Sequence, residues 1–206
     1  MFQYRRSLLA LLLLGLAATT TAQAVTDLDA ELFVQNLAKN AISTVAASNI
    51  SDSDRSDRFR QIFTSAVDIP KLAKFVLSRY WQMASPTQQA EFLNAFEESQ
   101  VLAWSQRFKT YNGEKLETQG AKMDGEGGWL VDSQIVRHQG TPAIVQWRLQ
   151  SAEDGSLRIT DIIAKGISMA LVFRQDYTTI LQSNGQDIDA LLSTIRTRNL
   201  LIAKKQ

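Results

Sequence analysis

The chain has 206 residues, with 22 Lys and Arg against 21 Asp and Glu, one histidine and no cysteine. A formal net charge of +1 leaves no basic excess of the kind that nucleic-acid binding needs, so no nucleic-acid partner is expected. Without cysteine there is no disulfide, thiolate nucleophile, thiolate metal site or lipid-modified cysteine.

At the N-terminus, Arg5 and Arg6 precede the leucine-rich run "SLLALLLLGLAA", and Ala22-Gln23-Ala24 forms a small-x-small cleavage site. This pattern reads as a secretory signal peptide over residues 1–24, too short to be a bilayer span. Cleavage leaves 206 − 24 = 182 residues with a charge of about 20 − 21 = −1, read as a single α+β domain over residues 25–206. The expected compartment is the periplasm, where an exported protein without disulfides is at home.

Glycine divides the remainder. There is none from Val25 to Asn112, and nine follow from Gly113 onward. Because glycine weakens helices and enables turns, the first half reads as helical and the second as strands and turns. Apolar residues at Leu28, Leu32, Phe33, Leu37, Ala41, Ile42 and Val45 predict a helix over Asp27 to Ser48. "SDSDRSDRF" reads as a polar break, followed by a short helix from Phe59 to Val67. Asp68 caps a helix from Ile69 to Trp81, with Pro70 in its first turn. Ser85-Pro86-Thr87-Gln88 supplies an N-cap, a first-turn proline and a capping-box glutamine. It opens a long helix that ends near Tyr111-Asn112-Gly113.

Beyond that point apolar residues recur with period two. Trp129, Val131, Ser133 and Ile135 define one strand face, Ala143, Val145, Trp147 and Leu149 a second, and Leu157, Ile159, Asp161 and Ile163 a third. Short turns at Gln139 to Pro142 and Glu153 to Ser156 make these hairpins. With a weaker strand near Leu116 to Lys122, an antiparallel β-meander of about four strands is expected. Two C-terminal helices, Ser168 to Ser183 and Asp187 to about Ile202, close the chain.

Gly166-Ile167-Ser168-Met169-Ala170 is close to the G-x-S-x-G nucleophile elbow. The elbow requires a histidine after the serine and a parallel sheet, whereas the only histidine, His138, precedes Ser168 and the turns call for antiparallel strands. Gly166 and Ser168 therefore read as a turn and a helix cap, and a small serine esterase is the competing enzyme hypothesis. No catalytic residue is assigned. Counted from Asp124, the sixth and twelfth positions of a calcium loop hold Trp129 and Ile135, and from Asp52 they hold Asp57 and Phe63, instead of glycine and glutamate, so no metal and no cofactor are expected.

"DIPKLAKFVLSRYWQMASPTQQAEFLNAF", Tyr111-Asn112-Gly113 and "DIIAKGISMALVFRQDYTTILQSNGQDIDALLSTIR" together resemble the MlaC or toluene-tolerance family of periplasmic phospholipid-binding proteins. Leu157-Arg158-Ile159 stands where relatives often carry tryptophan, and "GISMALVFRQDY" leans towards the hopanoid-associated branch, which makes a hopanoid or other isoprenoid lipid the alternative cargo. The resemblance implies a mixed fold of helices and sheet enclosing an apolar cavity for acyl chains. It also implies partners at both ends: an inner-membrane ABC transporter with an MCE-domain subunit, and an outer-membrane lipoprotein complex. The carrier is expected to be a monomer and not an enzyme. Candidate lining residues are Phe75, Tyr80, Trp81, Phe108, Val145, Trp147, Ile159, Ile163, Met169, Val172 and Phe173. Lys71, Lys74, Arg79 and Arg174 are candidates for contact with a head group or an acidic partner.

Overall fold

The structure, a computed structural model, describes residues 25–125 and 127–204; the expected signal peptide, residues 1–24, lies outside the described residues. Helix α1 (Asp27–Val45) starts at Thr26, whose hydroxyl accepts the Asp29 N–H at 3.2 Å while the Asp29 carboxylate accepts the Thr26 N–H at 2.9 Å. Helix α2 (Asp52–Ala66) begins seven residues earlier than the sequence pattern predicts. The stretch read as a polar break is its first two turns: Ser51 caps it, Asp52 and Asp54 face the N-terminal dipole, and Arg55 is buried, donating to the Val45 and Ala47 carbonyls at the end of α1.

The predicted helix from Ile69 to Trp81 is broken. Helix α3 (Ile69–Leu77) and helix α4 (Arg79–Met83) meet at Ser78, which holds φ 52° and ψ −127°. The apolar spacing continues through the junction, so periodicity alone does not reveal the break. Helix α5 (Pro86–Lys109) carries the expected capping box at Ser85 and Gln88.

Five antiparallel strands follow in chain order across one sheet: β1 (Lys115–Asp124), β2 (Gly128–Val136), β3 (Ala143–Ser151), β4 (Leu157–Ala164) and β5 (Ile167–Ser168). Gly128 opens β2 where a Cβ would collide with the Leu149 carbonyl oxygen, so no larger residue fits there without moving backbone. Trp129, Val131 and Ser133 stand opposite Leu149, Trp147 and Val145, forming the inward face the alternation predicts.

The third strand departs from its predicted phase. A bulge in β4 pairs Ile159 with Leu149 but Asp161 with Arg148, leaving Thr160 as the extra residue. Ile162 and Ala164, opposite Trp147 and Val145, therefore continue the inward face, while Asp161 and Ile163 turn outward. Ile163 is thus a correction to the predicted lining: one extra residue reverses every later side chain.

Helices α6 (Met169–Ser183) and α7 (Ile188–Ala203) complete the chain. Helix α1 covers β1 and β2, α2, α3 and α6 contact β4, and α7 packs along α5. The main core lies between these helices and the sheet, and includes Leu77, Tyr80, Phe92, Phe96, Leu149 and Leu181, all nearly or wholly inaccessible. A second, smaller core joins Val45, Phe59, Ile62 and Val101.

Candidate functional site

Of the expected lining residues, Tyr80, Trp81, Trp147, Ile159 and Phe173 pack into the main core between the helices and the inward sheet face. Phe173 of α6 meets Phe96 edge-on at 5.6 Å, and Tyr177 one turn later meets Phe92 edge-on at 5.7 Å. Burial pushes the Tyr177 phenol far above its ordinary pKa, with the neighbouring Asp176 adding to the shift. On the sheet, Trp147 donates its indole N–H to Ser133 Oγ at 3.0 Å, and Ser133 donates in turn to the Val145 carbonyl at 2.7 Å. That chain satisfies a fully buried serine and fixes the indole against the core.

Beside this core the helix breaks at Ser78, and Arg174 bridges to the break from α6. Arg174 Nη2 donates to Ser78 Oγ at 2.7 Å, and the same guanidinium lies 5.2 Å from the centre of the Phe75 ring. Ser78 occupies a left-handed backbone region that costs an L-residue on the order of 1–3 kcal/mol and persists only when surroundings hold it. The flanking Arg79 donates to the Tyr80 hydroxyl at 2.9 Å, and Tyr80 is only 1% exposed.

Of the predicted lining, Tyr80, Val145 and Ile159 are buried, and Trp81, Trp147 and Phe173 are half-buried against the same core. Met169 is half-buried at the start of α6. Three others depart. Phe108 belongs to the smaller core, 5.8 Å from Phe59. Phe75 and Val172 point outward, 42% and 44% exposed. They occupy positions of α3 and α6 that neither the sheet nor the other helices cover, which a sequence with apolar residues around most of the helix does not disclose. Lys71, Lys74 and Arg79 are exposed and Arg174 is half-buried; Lys71 also donates to Gln150 Oε1 near the end of β3.

Between sheet and helices, Leu77, Tyr80, Phe92, Phe96, Leu149 and Leu181 pack into one core, with Trp81, Trp147 and Phe173 against it. Two surface clefts of about 630 Å³ and 380 Å³ lie elsewhere, meeting at Glu114 beside Tyr111 and His138. Among the described residues, no helix is long and apolar enough to cross a membrane.

Ser168 has a defined position. Its Oγ donates to Asp161 Oδ2 at 2.6 Å and accepts the Leu171 N–H at 3.1 Å as the cap of α6. Asp161, 5% exposed, also accepts the Ile162 and Ala170 N–H groups at 2.8 and 3.0 Å. His138 lies beside Gly113, in a different part of the fold. This serine joins strand to helix, and the bulge that turns Asp161 outward is what brings the carboxylate to it.

The chain matches the MlaC protein family model over residues 35–197. It belongs to the MlaC family. The toluene tolerance protein ttg2D of Pseudomonas putida is 25% identical over 134 residues, 65% of this chain and 62% of that protein, so the match spans less than two thirds of the relative. A phospholipid-binding protein from Ralstonia solanacearum, solved in complex with a phospholipid, shares the fold at a TM-score of 0.75 and 15% identity, covering 84% of this chain and 98% of that one. Membership of the MlaC family accords with the α+β order of helices, meander and paired C-terminal helices described above.

Proposed function

We propose that this MlaC-family chain is a periplasmic lipid carrier that parts α3 and α4 from α6 to place phospholipid acyl chains between the sheet and the helices. The family supports a lipid cargo, as does the phospholipid bound by the Ralstonia protein of the same fold. Physics sets the demand. At about 0.8 kcal/mol per methylene, a chain of roughly fifteen methylenes costs on the order of 12 kcal/mol to leave in water, and only burial removes that cost.

The observation that carries the reading is the Arg174 bridge across the strained junction at Ser78. Because the interior is packed, lipid must displace side chains as it enters. The helix is already broken at Ser78, where α3 and α4 roof an apolar interior, and Arg174 adds one hydrogen bond and one ring contact to the buried packing of Val76, Leu77 and Tyr80. Once this junction opens, Arg174 and Arg79 stand at the lip to meet the phosphate, while Trp147, Ile162 and Phe173 face the tails. Cargo then passes between an inner-membrane ABC transporter carrying an MCE domain and an outer-membrane lipoprotein complex. A hopanoid or other isoprenoid lipid is the alternative cargo for the same interior.

Mass spectrometry of the gently purified protein is expected to find bound phospholipid, and stripped protein is expected to take it up from vesicles. The sequence contains no cysteine, so Ser78→Cys with Arg174→Cys, joined by a short bis-maleimide, tethers the junction to α6 specifically. Uptake should stop in the tethered protein and persist in the same double variant left unjoined. Unimpeded uptake by the tethered protein would overturn this route, and a protein that never takes up lipid would overturn the carrier reading.

A further inference from the structure

The face outside the Ser78 junction carries a second property that lipid sequestration does not require. Ile167 and Leu171 are 57% and 55% exposed, and Phe75 and Val172 join them. Helix α3 packs along α6, Arg174 covers the Phe75 ring, and Leu171 lies one turn before Arg174 on the same flank of α6. Phe75 on α3 and Leu171 and Val172 on α6 therefore expose apolar surface on two adjoining helices, and Ile167 adds to it just before α6 begins. Its surroundings are cationic: residues 69–79 contain Lys71, Lys74 and Arg79, residues 162–175 contain Lys165 and Arg174, and neither stretch contains an acid. The carboxylates that flank these segments in the sequence are all engaged. Asp68 caps α3, Asp161 is buried under Ser168, and Asp176 pairs with Arg198 at 2.6 Å. Five cations without an anion on two adjoining segments is a strong local bias in a chain whose net charge is +1.

We propose that this face, built from Phe75, Ile167, Leu171 and Val172 with Lys71, Lys74 and Lys165 around them, docks the protein directly on an anionic phospholipid surface. Apolar side chains entering the interfacial region and lysines facing lipid phosphates are the two components of peripheral membrane attachment, each lysine being worth about fivefold in affinity near an anionic leaflet. A bilayer interface requires no complementary shape. The inference rests on the carrier reading only in that docking here would hold the Ser78 junction against the lipid source.

The test is co-sedimentation with vesicles of phosphatidylcholine alone or containing phosphatidylglycerol, at low and high salt. The protein is expected to bind the phosphatidylglycerol vesicles, and binding should weaken with salt. Ile167→Ser with Leu171→Ser should reduce it by about tenfold or more while leaving thermal stability unchanged, since both side chains are already exposed. Lys165→Glu with Lys74→Glu should abolish the preference for the anionic lipid. No binding by the unaltered protein, or equal binding by all variants, overturns the proposal. So does a result in which the serine variants keep vesicle binding but lose capture by a solubilised membrane-protein complex, which would make the face a protein-docking surface. Uptake of a monomeric short-chain fluorescent phospholipid, measured without vesicles, separates the two readings. Internal uptake without vesicle binding ends only the docking proposal, and vesicle binding without uptake ends only the carrier.

Discussion

Replacing Ser168 with alanine distinguishes a structural hydroxyl from a reacting one. The substitution removes the N-cap of α6, worth about 1 kcal/mol, and a hydrogen bond to a carboxylate, worth about 1.5–3 kcal/mol. Asp161 keeps the Ile162 and Ala170 N–H groups and a longer contact with Arg148 at 3.5 Å, so the lower part of that range applies. The expected loss is about 2–3 kcal/mol, or on the order of 5–10 °C in Tm for a domain of this size. Urea unfolding followed by circular dichroism measures it, with an unchanged m-value confirming that the same transition is being followed. Ser168→Thr keeps the hydroxyl and should recover most of the loss. A neutral Ser168→Ala would show that the hydroxyl holds neither the helix cap nor Asp161 to any energetic purpose. Labelling of Ser168 by a fluorophosphonate would revive the esterase that the bonds to Asp161 and Leu171 argue against.

Phe96→Ala should cost about 3–5 kcal/mol in chemical unfolding, because its ring is fully buried against Phe92, Phe173 and Tyr177, whereas Phe75→Ala should cost less than about 1 kcal/mol. Similar costs at the two positions would contradict the assignment of Phe75 to the surface. Gly128→Ala should prevent soluble expression or lower Tm sharply, since the added methyl meets the Leu149 backbone, and a well-folded variant would show that the strand ends there can shift. Tyr177 has a folded-state pKa raised above its unfolded value, so its contribution is complete below about pH 10 and is lost as pH rises through the folded value. Absorbance at the phenolate band should show Tyr177 ionising only with unfolding, and early, reversible ionisation in the folded protein would contradict its burial.

The helical first half, the meander and the closing helices were legible because glycine distribution, hydrophobic period and capping residues point the same way. Ser85 to Gln88 is the clearest instance: cap, proline and glutamine stand at the spacing their hydrogen bonds require. Two features were hidden for the same reason, that a local backbone choice changes phase without changing composition. The bulge at Thr160 sends Asp161 and Ile163 outward, although the preceding residues alternate regularly. The turn at Ser78 splits a helix whose apolar positions run on without interruption. Of the site, the aromatic corner around Trp147 and Phe173 could be anticipated from pattern. The exposure of Phe75 and Val172 and the transfer of Phe108 to a separate core follow from how helices pack, which no local window contains. Neither the bridge from Arg174 to Ser78 nor the bond from Ser168 to Asp161 was anticipated, because each joins positions that the sequence pattern does not connect.

The most direct test of lipid sequestration is to load the protein with a phospholipid bearing a diazirine at the end of an acyl chain, irradiate it and map the adducts by mass spectrometry. Sequestration between sheet and helices should label inward residues around the aromatic corner, such as Phe96, Trp147, Ile162 and Phe173. Bound lipid whose adducts fall only on exposed side chains such as Phe75 and Leu171 would mean that the tails never enter, and the carrier account would be contradicted.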